Sequence, residues 1–248
     1  MKELIKTILY KPLFNLLVFL AWLVPGHSIG WAIIGITIIV KGLLWKLSLK
    51  TLKVPLEMNL HRDELKQLQE RHKDNRNALA QAQMAFYKEK GINPLAGCLP
   101  LLIQLPILLI LYRVFIVGLN DLRPDLIYSF TPHLDTLNTM FFGIDLSKPD
   151  PYFIIPALAA LLQFLQTRHM QQLNPPIGDP KKDPAVMMNK QMMYLFPAMT
   201  FFISFKFPAG LPLYWAASTA LTWVQQIYVQ KTFKPEAKAK VVVRSKKK

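Results

Sequence analysis

Apolar and polar stretches alternate along the chain at a length that suits a lipid bilayer. Trp31 to Leu49, WAIIGITIIVKGLLWKLSL, is almost wholly apolar, and about 20 such residues at 1.5 Å rise cover the roughly 30 Å hydrocarbon core. Comparable runs follow, and together they predict transmembrane helices at about 29–49, 95–118, 152–166, 191–207 and 211–229. Between the first two lies a polar stretch with a helical period. Leu56, Leu60, Leu65 and Leu68 fall near one face, and Leu79, Ala82 and Phe86 follow at i, i+3, i+7. That spacing predicts a hairpin of two amphipathic helices over 55–90, the first about Leu56 to Arg71. Asp74 or Asn75 is placed to cap the second. The fold class expected is all-α: a polytopic membrane protein with a five-transmembrane-helix core and a cytoplasmic helical hairpin.

The N-terminal segment, 1–27, is less decided. Pro12 to Pro25, PLFNLLVFLAWLVP, is apolar but short for a span, and Pro25-Gly26 breaks it. It reads either as a helix lying in the interface or as a tilted first span forming a hairpin with the next. Residues 28–230 make the core, and 231–248 a basic disordered tail.

One residue disturbs the pattern. Lys41 stands in the middle of the first apolar run, where a cation costs about 2.5 to 3.5 kcal/mol on insertion scales. Its stem is placed too deep to reach either edge by snorkelling, so it is expected to face protein or a wet cavity. Thr37 is one turn earlier on the same face. Gln104 lies between Pro100 and Pro106 in the second span, Gln163 near the end of the third, and Tyr214 and Trp215 in the fifth. These six are the candidate lining of a polar pocket inside the bundle.

Charge then orients the chain. The protein carries a net charge of +15 with 52% hydrophobic residues, a pairing that soluble domains seldom show. From Lys46 to Lys90 there are ten Lys/Arg and six Asp/Glu; the loop Thr167–Lys190 has four and two; the tail Lys231–Lys248 has eight and one. Leu119–Pro151 has five acidic and two basic residues. The positive-inside rule puts the basic segments in the cytoplasm and the acidic loop outside, and five spans satisfy that parity at every loop. Tyr128, Phe130, Phe141 and Phe142 suggest that part of the acidic loop lies at the membrane interface.

Other chemistry is sparse. One cysteine, Cys98, excludes an internal disulfide framework. Its Leu95-Ala96-Gly97-Cys98 setting has the form of a lipoprotein processing box but lies far from the N-terminus. No HExxH, GxSxG, P-loop or Cys/His metal set is present. No catalytic residue, metal or cofactor is expected, and the chain does not read as an enzyme.

The stretch NPLAGCLPLLIQLPILLILY (Asn93–Tyr112) resembles a hallmark of the YidC/Oxa/Alb family of membrane-protein insertases, and FPAGLPLYW (Phe207–Trp215) resembles its second hallmark. GWAIIGITIIVKGLLWKL is similar to the family's first core helix. The resemblance runs from Pro12 to Gln230. It implies a five-helix core with a hydrophilic groove open to the cytoplasm and the lipid. Lys41 would be the positive residue in that groove, with Thr37 and Trp215 at matching groove positions. The family's bacterial pattern usually has arginine where Lys41 stands; lysine keeps the charge but not the five-donor fork. Lys46 stands where proline is frequent and Thr219 where asparagine is, and both departures bear on local helix kinks and packing.

The partners implied are the lipid bilayer, nascent membrane proteins, a ribosome through the basic tail, and the Sec translocon. The location implied is the bacterial inner membrane, with the C-terminus cytoplasmic. The tail also fits a plain topology signal, and the hairpin also fits a simple connector. Read without the resemblance, the buried cation suits a small anion channel or transporter, and the basic tail a passive membrane scaffold for ribosomes.

Overall fold

The computed structural model describes residues 6–72, 75–93, 99–113, 126–132, 134, 136–173, 175 and 184–233. Cys98, most of the Thr167–Lys190 loop's proline-rich run, the ends of the expected 95–118 span and nearly all of the basic tail lie outside them.

The described chain is mostly helical. Helix α1 (Lys11–Leu23) follows one π-helical turn, Lys6–Tyr10. Pro12 sits in its first turn, where a missing N–H costs nothing. The helix stops at Val24, which is extended as the residue before a proline must be. At 13 residues α1 is about 20 Å long, short of a bilayer's hydrocarbon. It buries Phe14, Leu17, Val18 and Ala21 together with Ile29, Ala32, Ile33 and Ile36 of α2 (Ile29–Leu43). Asn15 is buried with them and fully bonded. Its Nδ2 donates to the carbonyls of Lys11 and Leu126, both at 2.8 Å. Its Oδ1 accepts from the Tyr128 N–H at 2.8 Å and Thr131 Oγ1 at 2.7 Å. A buried amide so satisfied clamps α1 to the loop.

The expected 29–49 span is not one straight helix. The chain turns by 73° between α2 and α3 (Trp45–Leu60). Leu44 takes φ −89, ψ 7 at the break, and α3 then runs unbroken through Pro55. The lysine is therefore not central: Lys41 lies in the last turn of α2. The first hairpin helix is also shorter than its leucine spacing suggests. The expected Leu56–Arg71 helix breaks at His61, so Leu56 and Leu60 belong to α3, and α4 covers Arg62–Arg71. Helix α5 (Arg76–Lys90) is capped by Asn75, whose Oδ1 accepts from the Ala78 N–H at 3.0 Å, and it ends at Gly91 in the left-handed conformation that such C-termini favour. Leu65 and Phe86 are buried on the hairpin helices, and Lys90 pairs with Glu64 at 2.5 Å.

Helix α6 (Leu99–Arg113) contains Pro106. The acidic loop holds a small antiparallel pair that the all-α expectation omits: β1 (Met140–Phe141) with β2 (Ile144–Asp145). It ties two helix starts together. Ile29 N–H donates to the Asn138 carbonyl at 2.9 Å, Ala209 N–H to Lys148 at 2.8 Å, and Gly210 N–H to Leu146 at 3.0 Å. Buried Asp150 accepts from the Tyr152 and Ile155 N–H groups and opens α7 (Ile154–Leu173). This helix runs seven residues past the expected end at 166. Helices α8 (Pro184–Ser204) and α9 (Gly210–Thr232) complete the chain.

Helix α9 is central: it packs on α7, α2, α3 and α6, and α8 packs on α7. Among the described residues no single helix is long and apolar enough to cross a membrane alone. The bent pair α2–α3 reaches that length and composition.

Candidate functional site

The bend at Leu44 makes a site. Where α3 swings away from α2, α6 and α9 close the angle, leaving a small cavity of about 40 Å³, room for roughly three water molecules. Helix α2 contributes Thr37, Val40, Lys41 and Leu44; α3 contributes Leu47, Ser48 and Thr51; α6 contributes Gln104 and Ile107; and α9 contributes Tyr214.

The polar groups are organised by helix periodicity. Tyr214, Ser218 and Thr222 are spaced by four residues on one face of α9. The first two meet Gln104 and the third meets Lys41. Gln104 Nε2 donates to Tyr214 Oη at 2.8 Å, and Ser218 Oγ donates to Gln104 Oε1 at 3.3 Å. Lys41 Nζ donates to Thr222 Oγ1 at 2.8 Å, and that hydroxyl donates to the Ser218 carbonyl at 2.8 Å. Thr37 Oγ1 donates back to the Ile33 carbonyl at 2.6 Å, and Thr51 Oγ1 to Ser48 at 2.9 Å. Such back-bonding satisfies hydroxyls inside apolar helices and favours bends.

None of the described lining residues is acidic. Lys41 is half-buried and leans on a neutral hydroxyl, with ammonium donors to spare. A carboxylate brought within 4 Å of it gains about 4 kcal/mol at an effective dielectric of 20. The site is thus electrostatically suited to an anionic side chain. It contains no nucleophile–base pair, and no group of three metal-ligating residues occurs among the described residues.

Four of the six residues read from sequence meet here: Lys41, Thr37, Gln104 and Tyr214. Two do not line the cavity. Gln163 Oε1 accepts from Thr200 Oγ1 at 2.6 Å and joins α7 to α8. Trp215 is half-buried, and one residue beyond Tyr214 points it about 100° around α9. Sequence reasoning missed Thr222, Ser218, Ser48 and Thr51. The four-residue spacing from Tyr214 was the signal for the first two.

The sequence model of the 60Kd inner membrane protein family matches residues 20–237. The chain belongs to that family. It is 37% identical over 235 residues to the membrane protein insertase YidC of Laribacter hongkongensis, covering 94% of this chain and 38% of that protein. It is 37% identical over 219 residues to YidC of Mannheimia succiniciproducens, covering 87% and 35%. It is 35% identical over 213 residues to YidC of Pseudomonas syringae pv. syringae, covering 86% and 34%. The chain thus spans between 34% and 38% of the length of these relatives. The likeness carried by Asn93–Tyr112 and Phe207–Trp215 holds at the level of the family.

Proposed function

We propose that the chain is a membrane protein insertase of the bacterial inner membrane, acting without catalysis or cofactor. The observation that carries this reading is the cation Lys41, with no acidic partner among the described residues, in a polar cavity between α2, α3, α6 and α9, in a chain whose relatives are named insertases. The six-residue groove of Lys41, Thr37, Gln104, Tyr214, Trp215 and Gln163 narrows on this reading to the four that share the cavity, with Thr222 added.

Pulling a polar tail through hydrocarbon costs several kcal/mol per unsatisfied group. A wet groove reaching partway shortens the dry path. Lys41 attracts acidic residues of the tail, the tail crosses, and the adjoining apolar segment partitions into lipid. That partitioning drives the step, so nucleotide hydrolysis is not required. The five-span core, the cytoplasmic C-terminus and the division at 27 and 230 belong to the same reading. So do nascent membrane proteins as substrates, with the ribosome and the Sec translocon as partners.

The test is reconstitution of the full chain into liposomes with a translated single-span protein bearing an acidic tail, scored by protease protection. Lys41→Ala is expected to lower the protected fraction about tenfold, equivalent to about 1.4 kcal/mol. Lys41→Arg is expected to retain it. Full insertion by the alanine variant at equal protein level sinks the role of Lys41. Anion flux without insertion replaces the whole reading by the transporter one.

A further inference from the structure

At the end of the bundle where α2 and α9 begin, the chain reverses in a tight turn. Met140 pairs with Asp145 and Phe141 with Ile144, leaving Phe142 and Gly143 as the turn. Both have left-handed backbone, φ 48 and φ 83. Turns of this kind are ordinarily filled by Asn-Gly or Asp-Gly, whose first residue tolerates positive φ and keeps a polar side chain in water. Phenylalanine does neither. A bulky residue held at positive φ is a genuine outlier, of the sort that concentrates at functional sites. Phe142 is moreover 84% exposed, so packing in the core does not account for it.

Its neighbours indicate where the ring belongs. Phe142 lies edge-on to Phe141, centroids 4.7 Å apart, and to Trp31 at 6.4 Å; Phe141 lies edge-on to Trp31 at 5.6 Å. Phe141 is seated on Gly30, where an added Cβ would come 2.1 Å from the ring. The tip is thus locked to the first turn of α2. Trp31 is 50% exposed and shares a helix face with Ile38, seven residues on and 53% exposed. An apolar, uncovered face of a helix in an inner membrane protein faces lipid. The three rings stand at one end of that face, and the Asp145–Lys148 ion pair behind them marks the aqueous side.

We propose that the Phe141–Phe142 turn and Trp31 form an aromatic wedge that anchors this loop in the headgroup–acyl boundary of the adjacent lipid leaflet. Lipid is favoured over a protein partner on two grounds. Trp at the junction of an apolar face and a charged loop is interfacial-belt composition, and the two Phe rings add apolar surface beside it. The wedge is also continuous with the lipid-facing strip of α2. The burial resolves both oddities of Phe142: an exposed ring finds an apolar phase, and the costly turn conformation aims it there. The same loop is bonded to α1, α2 and α9, so the wedge sets the depth of the whole end of the bundle. The proposal depends on membrane residence alone, so it stands or falls separately from insertase activity.

The test uses the full chain in liposomes of phosphatidylethanolamine and phosphatidylglycerol. Phe142 is replaced by photoreactive p-benzoylphenylalanine, which keeps an aromatic ring, with Ile38 and Lys148 replaced likewise as lipid and water references. After illumination, lipid adducts at 142 are expected at a yield near that of 38 and at least fivefold above that of 148. A second route does not rely on crosslinking: Phe142→Cys in a Cys98→Ser background carries a nitroxide, whose accessibility to oxygen is expected to exceed that to a water-soluble nickel chelate. Adducts no more frequent than at 148, adducts of twice the protein mass, or a nitroxide reached mainly by nickel each overturn the wedge.

Discussion

Among the described residues Lys41 rests on one neutral hydroxyl, so Thr222 decides how the ammonium is aimed. Thr222→Val keeps the shape of the side chain and removes the acceptor. A hydrogen bond to a charged group contributes about 1.5 to 3 kcal/mol, and the variant is expected to unfold a few degrees earlier in detergent. Thr222→Ser is expected to match the parent. If valine leaves the unfolding temperature unchanged, the 2.8 Å contact carries no stability. At the opposite end of the bundle, Asp145 is the residue whose ionisation matters. Burial resists its charge, but the Ser147 hydroxyl and N–H, with Thr139 and Lys148, outweigh that and hold its carboxyl down at about 2. A folded value below the usual 3.8 means that ionised Asp145 stabilises the fold above that value and loses its effect as pH falls towards 2. Asp145→Asn is therefore expected to unfold earlier than the parent at pH 7, with the gap closing between about pH 4 and pH 2. A gap of equal size at pH 7 and pH 2.5 rules the explanation out.

The hairpin shows which forces hold an element. Glu64 joins Lys90 at 2.5 Å and His61 at 2.9 Å, and Lys90 foremost and then His61 lower the Glu64 pKa. Glu64 is half exposed, and such pairs contribute about 0 to 1 kcal/mol. Leu65 is 2% exposed, and truncating a buried leucine costs about 2 to 5 kcal/mol. Leu65→Ala is thus expected to raise amide hydrogen exchange across α4 and α5 at least tenfold more than Lys90→Ala; equal effects would make the ion pair the true clasp. The hairpin was legible in sequence because its apolar residues keep a helical period and Asn75 is a strong cap. The break at His61 was not, since no proline or glycine marks it and Leu56 and Leu60 continue the same period into α3. The bend at Leu44 was hidden likewise. Pro55, the residue that looks like a breaker, sits inside an unbroken helix, while the turn falls at a leucine. Lys41, Thr37, Gln104 and Tyr214 were legible because polar residues stand out in apolar runs. Thr222 was not, because threonine is common in apolar helices, where it bonds its own backbone.

At the scale of the molecule, the question is which end faces which compartment. The acidic loop and the Lys41 bend lie at opposite ends of α2: Ile29 is bonded to Asn138 at one, and Leu44 turns into the basic α3 at the other. A crossing by the bent α2–α3 pair therefore places the loop and the α4–α5 hairpin on opposite sides of the membrane. Charge predicts the sign, since each Lys or Arg near an anionic cytoplasmic leaflet gains about 1 kcal/mol, and ten of them lie between Lys46 and Lys90 against two in the loop. In a Cys98→Ser background, Lys66→Cys on α4 is expected to react with a membrane-impermeant maleimide only after the cytoplasmic side is opened. Lys148→Cys, whose side chain is 76% exposed, is expected to react in intact spheroplasts. Labelling of both positions from one side would mean that the α2–α3 pair does not cross, and the cavity at its bend would then have no route from cytoplasm into lipid. Opposite labelling with the sides reversed would keep the architecture but turn Lys41 away from the ribosome's side, leaving the proposed substrates no way in.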